Sequence, residues 1–257
     1  MSSLKFEDNF SKQADVYARY RPPYPAALYE WIAAIAPGHA VAWDCGTGNG
    51  QAALGLTRHF RSIIATDPST AQIGNAPAHP QIEYRVARAE DSGLADQSVD
   101  AITVALALHW FDLDQFYAEA RRVLKPGGVI VAWTYYLPVI APETDRVIEH
   151  LDGVLLHDYW SPRIQLLRDK YRSIPFPFDE LTAPEYAIEK AWPLTELIGY
   201  LHTWSGTQAY RDAHGVDPID LIQAALAAAW GDVAQRTVRW PVFMRAGRRP
   251  DTPHLRL

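Results

Sequence analysis

The sequence predicts an α/β chain built on a doubly wound, mostly parallel sheet, and three observations predict it. Short apolar runs alternate with helix-like segments from about residue 40 to residue 135. The runs are nearly all apolar, as strands covered on both faces are. The spacing leaves room for the crossover connections that parallel strands require.

The elements follow in order. A segment over residues 6–25 reads as amphipathic and ends at Arg21-Pro22-Pro23-Tyr24-Pro25, because prolines remove donors and forbid a continued helix. Residues 26–36 place Leu28, Ile32 and Ile35 at helical spacing, and Pro37-Gly38 stops them. Strands are then expected over 40–45, 62–67, 83–87 and 99–106, with helices over 51–59 and near 70–72. Asp112 is a good N-cap for a helix over 113–124, whose Phe116, Ala120, Val123 and Leu124 share one face. Lys125-Pro126-Gly127-Gly128 ends it, and a strand is expected over 129–135.

After Tyr135 the alternation breaks. Helices are expected over 144–157 and 163–171, followed by the proline-rich IPFPFDELTAP, and the region reads as an insertion packed over the sheet. Strand patterns return at 186–191 and 236–246, with helices over 194–201 and 218–230 between them. Paired antiparallel, those two strands would close the sheet edge. The chain reads as one domain, 1–257, with an N-terminal arm at 1–25 and helical insertions at 138–183 and 192–232 over the substrate site.

Composition excludes several classes. The net charge is −6, from 30 acidic and 24 basic residues, and no Lys/Arg stripe could neutralise a phosphate backbone, so nucleic acid is not expected as a partner. The start MSSLKFEDNF has no apolar h-region, and the longest apolar run, AITVALAL, is too short to span a bilayer. A cytoplasmic monomer or homodimer acting on a small molecule, away from membranes, is the expectation. Cys45 is the only cysteine, and His157, His202 and His214 show no metal-ligand spacing, so neither a disulfide framework nor a metal is expected. Many of the aromatic residues fall after residue 130, where Trp133, Tyr135, Tyr136, Trp160 and Trp204 are candidates to wall a pocket.

The chemistry is concentrated in VAWDCGTGNGQAALGL, residues 41–56. The dinucleotide fingerprint G-x-G-x-x-G puts its third glycine three positions after the second. Here Gln51 stands three after Gly48, and the glycines run Gly46, Gly48, Gly50. Asp44, two before the first glycine, is wrong for a pyrophosphate but suits a cation such as the ammonium of an amino acid. Asp67 ends the next strand, 21 residues after Gly46, where a carboxylate can accept the hydroxyls of a ribose. Ribose plus amino acid without a pyrophosphate describes S-adenosylmethionine, and Ala89 or Glu90 after the third strand could meet an adenine edge.

With DCGTGNG, ATD, SVDAITVALALHWFD and RVLKPGGVIVAW in this order, the chain resembles the class I S-adenosylmethionine-dependent methyltransferases, in the group called type 11, over about residues 40–135. YARYRPPYP, HTWS and VRWPVFMR are similar to a subgroup that includes trans-aconitate methyltransferase-like proteins. The resemblance implies a Rossmann-like seven-stranded sheet with its last strand antiparallel. It puts Asp44, Gly46 and Gly48 beside the methionine moiety, Asp67 at the ribose, and Ala89 with Glu90 at the adenine. Many relatives carry an acid just before that alanine; this chain has Arg88, so the adenine contact leans on Glu90 or on backbone.

His109 follows the fourth strand, where donor and acceptor must meet, and is the first candidate for a general base. Tyr20, Arg21, Trp110, Tyr135 and Trp204 are the candidate substrate-binding residues. Cys45 reads as buried packing rather than a nucleophile, and Asp100 as a turn or cap residue. In-line methyl transfer needs few catalytic groups, and an ionised carboxylate acceptor needs no base; the aromatic-rich insertions suggest a small, partly apolar acceptor, and the subgroup resemblance implies a carboxylic acid and hence O-methylation. The alternatives are a cofactor-binding protein of the same fold without turnover, and a nucleotide-dependent oxidoreductase.

Overall fold

The computed structural model describes Tyr20 and residues 23–250. Helix α1 (Ala26–Ile35) precedes β1 (Val41–Cys45), α2 (Gln51–Leu56), β2 (Ser62–Asp67), α3 (Thr70–Gly74), β3 (Ile82–Val86) and β4 (Val99–Ala105). A short 3-10 turn (Leu108–Trp110), α4 (Leu113–Val123) and β5 (Leu124–Thr134) follow. Then come α5 (Pro142–His150), a π-helical turn (Leu151–Leu155), a 3-10 turn (His157–Tyr159), α6 (Ile164–Arg168) and β6 (Asp179–Glu180). The chain closes with β7 (Tyr186–Trp192), α7 (Leu194–His202), α8 (Ser205–His214), α9 (Pro218–Trp230) and β8 (Arg236–Arg248).

The strand order is β3-β2-β1-β4-β5-β8-β6, with β7 also paired to β8. Strands β1 to β5 run parallel, and β8 is antiparallel to β5, as expected for the last strand. Eight strands form where seven are expected. The 13-residue β8 is long enough for its first half to pair β7 and its second half to pair β5, while Asp179 and Glu180 add a short ladder at its end.

Strand side chains alternate between two cores, which is the period-2 consequence of a sheet covered on both faces. Ala42, Ala101, Val129, Val131 and Trp133 join α1, α2 and the α7–α9 helices on one side. Trp43, Ile102, Val104, Ile130 and Ala132 join Phe116, Ala120 and Val123 of α4 on the other. Asp112 caps α4 by accepting the Gln115 backbone N–H at 3.3 Å, as its position predicts.

Three local readings change. Lys125-Pro126-Gly127-Gly128 is an irregular start to β5, across which the register against β4 shifts between Val99/Leu124 and Ala101/Val129. The helix expected over 144–157 stops at His150 and widens into the π-helical turn, which carries Asp152 toward Tyr136 and Arg168. Helix α8, SGTQAYRDAH, is not anticipated because Ala209, Tyr210 and Ala213 are its only apolar side chains. Of the N-terminal arm, only Tyr20 and residues 23–25 are described, and Arg21 lies outside the described residues.

Asp100 is a structural tie, as its position suggests. Buried at the start of β4, it accepts the backbone N–H groups of Ala40 and Val41 at 2.9 Å each and pairs with Lys125 Nζ at 2.7 Å. These donors hold its carboxyl below the ordinary value although burial opposes them. The contribution to stability is therefore present above the unfolded-state carboxylate range and lost as acid takes pH down through the lowered value. Asp100→Ala is expected to cost about 2–3 kcal/mol at pH 7 in urea unfolding, by leaving those donors unanswered. An unchanged midpoint would contradict the role.

Candidate active site

The parallel strands end in a crevice whose floor is the glycine loop. Asp44 closes β1 fully buried, accepting the Thr47 hydroxyl at 2.6 Å and the Thr103 hydroxyl at 2.7 Å. Burial pushes its pKa up to about 6, with the two threonines and the Ala53 backbone pulling the other way. The Gly46 and Thr47 N–H groups both donate to Thr66 O at 2.9 Å. Asp67, ending β2, accepts Gly48 N–H through one oxygen and Ser69 N–H through the other, each at 2.9 Å. Thus the two carboxylates named from the sequence sit on adjacent strand ends with the loop stretched between them.

The glycines of that loop serve different purposes. Gly46, at φ +69°, would bring an added Cβ within 2.6 Å of Ala107 Cβ and 3.1 Å of the Phe111 ring, so packing excludes a side chain there. Gly48, at φ +55°, would meet only Gln72 Oε1, at 3.9 Å. Its left-handed backbone borders open space at the crevice, the cradle that a ligand lying against bare backbone needs. The crevice fits S-adenosylmethionine: a buried carboxylate stands beneath the amino-acid position, an acid ends β2, and the loop face at Gly48 is open.

At the β3 end, the Ala89 side chain is buried in the core beside α4. Glu90 accepts the Asp112 backbone N–H at 2.9 Å and Arg88 Nε at 3.2 Å, tying the β3 exit to the start of α4. Cys45 is fully buried and its thiol is pushed well above the ordinary value by burial, the condition of an inert packing cysteine.

A second cavity, about 100 Å³, opens beyond the turn that follows β4. Its walls combine Leu106, His109 and Trp110 from that turn, Tyr135 and Tyr136 after β5, Trp160, Ile164 and Leu167 from the region of α6, and Tyr200, Trp204 and Ser205 from α7 and α8. His109, Trp110, Tyr135 and Trp204, all named from the sequence, are thereby brought together. Tyr20 is not among the lining residues; its ring packs on Gly199 of α7. Trp133, by contrast, is fully buried against the Tyr24 ring and does not line the cavity. The turn 107–111 is common to both spaces: Ala107 and Phe111 press on Gly46, while His109 and Trp110 face the cavity.

The His109 ring is buried, and burial, with the neighbouring Arg163 charge, lowers its pKa to about 3. Its Nδ1 lies 2.8 Å from the Tyr171 hydroxyl. Arg163 donates to the His109 carbonyl at 2.6 Å and lies over the Trp110 ring. Behind Tyr136, Arg168 Nε donates to the phenol oxygen at 2.9 Å and Arg168 pairs with Asp152 at 3.0 Å, while the Tyr136 hydroxyl bonds Asp152. None of these partners was nameable from the sequence, because Asp152, Arg163, Arg168 and Tyr171 belong to the insertion, where spacing carries no motif.

Two outcomes follow for the loop. Gly48→Ala should fold, with a left-handed strain of about 1 kcal/mol, and lose S-adenosylmethionine affinity, whereas Gly46→Ala should lose stability first; thermal unfolding with and without ligand separates them. A raised carboxyl pKa means that Asp44 contributes stability fully present below the unfolded value and lost as pH rises through about 6. Asp44→Asn is therefore expected to match or exceed the parent's apo melting temperature at pH 7.5 while binding the cationic ligand about tenfold more weakly. The parent's own affinity should fall between pH 7 and pH 5. An Asp44→Asn chain of unchanged affinity would contradict the reading.

Known proteins complete the picture. A family model described as a methyltransferase domain matches residues 43–132, the sheet from β1 to β5. A Dictyostelium discoideum protein named as a methyltransferase is 34% identical over 248 residues, covering 93% of this chain and 94% of its own length. A methyltransferase of Mycobacterium tuberculosis is 34% identical over 121 residues, 47% of this chain and 49% of that protein. A solved structure from Anaeromyxobacter dehalogenans, named as a type II methyltransferase, superposes with a TM-score of 0.84 at 48% identity, over 91% of this chain and 99% of that one. With the full-length relative and the crevice in agreement, the chain belongs to the S-adenosylmethionine-dependent methyltransferases.

Proposed function

We propose that the chain transfers a methyl group to a carboxylate oxygen of a small, partly apolar acid held in the aromatic cavity. The observation that carries this reading is the shared turn 107–111, which separates the glycine loop from a cavity without an acidic residue in its wall. Arg163, just behind that wall, forms no ion pair with another of the described residues, so its charge favours an anion in the cavity. The small cavity volume and aromatic walls favour a compact acceptor over a polymer.

In this reading Asp44, Gly46 and Gly48 hold the methionine end, Asp67 the ribose, and Ala89 with Glu90 the adenine end. When bound, S-adenosylmethionine supplies a methyl group already activated on a sulfonium. The chain's own work is to align the acceptor oxygen with that methyl and keep water away. Trp110, Tyr135 and Trp204 provide the apolar walls, the insertions covering 138–183 and 192–232 act as the cap, and Tyr20 with Arg21 completes the substrate-binding set. A carboxylate is ionised at neutral pH and requires no base. We read the protein as acting without nucleic acid, as a monomer or homodimer; no helix among the described residues is long and apolar enough to cross a membrane.

Methyl-labelled S-adenosylmethionine with a panel of small acids, phenols and amines tests the proposal. Label should appear on acids as an ester released by mild alkali. Alkali-stable label on phenols or amines alone would contradict it.

A further inference from the structure

We propose that Asp152 is a specificity-determining residue of the aromatic cavity, because it makes the wall built from Tyr136 and Trp160 uncharged and leaves it without a donor. The acceptor then lays its hydrocarbon body on that wall. This rests on the cavity being the acceptor site, and it adds which wall takes the apolar part.

Tyr136 and Trp160 both line the cavity, and both commit their polar atoms to Asp152. The Tyr136 hydroxyl donates to one carboxylate oxygen, and Trp160 Nε1 donates to the Asp152 backbone carbonyl at 3.1 Å. A phenol has one hydrogen and an indole one N–H, so neither side chain has a hydrogen left to give a ligand. Burial and the Asp152 contact push the Tyr136 phenol well above its ordinary value, which keeps that hydrogen in place at neutral pH. The Trp160 ring is also seated on α8: a Cβ added at Gly206 would come within 2.9 Å of it, and the Trp204 ring centroid is 5.6 Å away.

The same carboxylate neutralises a cation. Arg168 ends α6, donates through Nε to the Tyr136 oxygen at 2.9 Å and has its Cζ 5.8 Å from the Tyr136 ring centroid. Left alone, that charge would stand beside an apolar wall. Asp152 pairs with it at 3.0 Å through its second oxygen. The pair also seats α6, a five-residue helix without a side-chain cap and too short to hold its shape unaided, whose Ile164 and Leu167 line the cavity.

The π-helical turn is what brings Asp152 here. The Leu156 N–H reaches back to the Leu151 carbonyl at 2.9 Å, and in this wide turn Asp152 is buried while Gly153 and Val154 beside it are exposed. Arg163 makes the contrast. It bonds the His109 carbonyl and lies over the Trp110 ring, with no ion pair among the described residues. An uncompensated cation therefore stands behind His109 and Trp110, and a compensated one behind Tyr136.

Toluene and benzoate, which share a ring and differ in charge, test this on the full chain carrying 5-fluorotryptophan and bound to S-adenosylhomocysteine. Binding is read by ¹⁹F NMR at the Trp160 signal, assigned with Trp160→Phe. The parent should bind toluene. Asp152→Asn uncovers the Arg168 charge and should move the ratio of benzoate to toluene affinity about tenfold toward benzoate. Arg168→Met uncovers the carboxylate and should move the ratio about as far the other way. The double variant Asp152→Asn/Arg168→Met leaves no buried charge alone, and its ratio should return to within about threefold of the parent's. Affinity for S-adenosylhomocysteine should stay within about twofold in all three, since neither residue borders the crevice. If Asp152→Asn does not fold, Arg168→Met and the double variant carry the same test. Equal losses of both ligands in the single variants, or no toluene binding by the parent, would overturn the inference. A parent that binds toluene but not benzoate would sink the carboxylic-acid reading alone. Toluene binding weakened in both single variants and regained in the double variant would then uphold Asp152's role, and toluene binding unchanged would overturn it.

Discussion

The Asp67 carboxylate receives the Gly48 N–H on one oxygen and the Ser69 N–H on the other, and this bridge sets the shape of the crevice. It fastens the crest of the glycine loop, which leaves β1, to the end of β2. Because Gly48 is pinned from behind, its bare backbone is presented outward rather than collapsing onto the sheet. Asp44 performs the complementary task from below through Thr47 and Thr103, linking the loop to β4. The price is a buried carboxylate with a raised pKa, a local instability that a cationic ligand would relieve.

From that loop the geometry passes to the aromatic cavity through one turn. Gly46 must be glycine because Ala107 and Phe111 occupy the place of its side chain. The same turn carries His109 and Trp110 into the aromatic cavity. Parallel pairing brings these pieces together at the carboxyl ends of neighbouring strands although β2 and β3 intervene in sequence between β1 and β4, which is the usual consequence of strand order reversing beside the first strand. The crevice and the aromatic cavity are therefore coupled by packing through this turn.

The sheet and the cofactor side were largely legible in the sequence because their signals are local. Apolar runs ending in an acid or a glycine mark strand ends, and Asp44, Gly48 and Asp67 lie where that reading puts them. The cap was less legible. Helix α8 offers only Ala209, Tyr210 and Ala213 as apolar side chains, and the π-helical turn carries a contact between Asp152, Tyr136 and Arg168 from three separate segments. His109 was visible as a residue but its surroundings were not, since Tyr171, 62 positions away in sequence, lies 2.8 Å from its Nδ1. Trp133 and Tyr135 illustrate the same limit: both looked like pocket residues, and their packing surroundings alone separate the core tryptophan from the cavity tyrosine.

The central claim is that one turn joins a cofactor crevice at Gly48 and Asp67 to an acceptor cavity at His109. A crystal structure of the full chain with S-adenosylhomocysteine and benzoate tests it most directly. The predicted result is a ribose on Asp67, the homocysteine along Gly46 to Gly48, and the sulfur facing a benzoate carboxylate beside His109. A ligand seated elsewhere, or a sulfur walled off from the cavity by the 107–111 turn, would contradict the account.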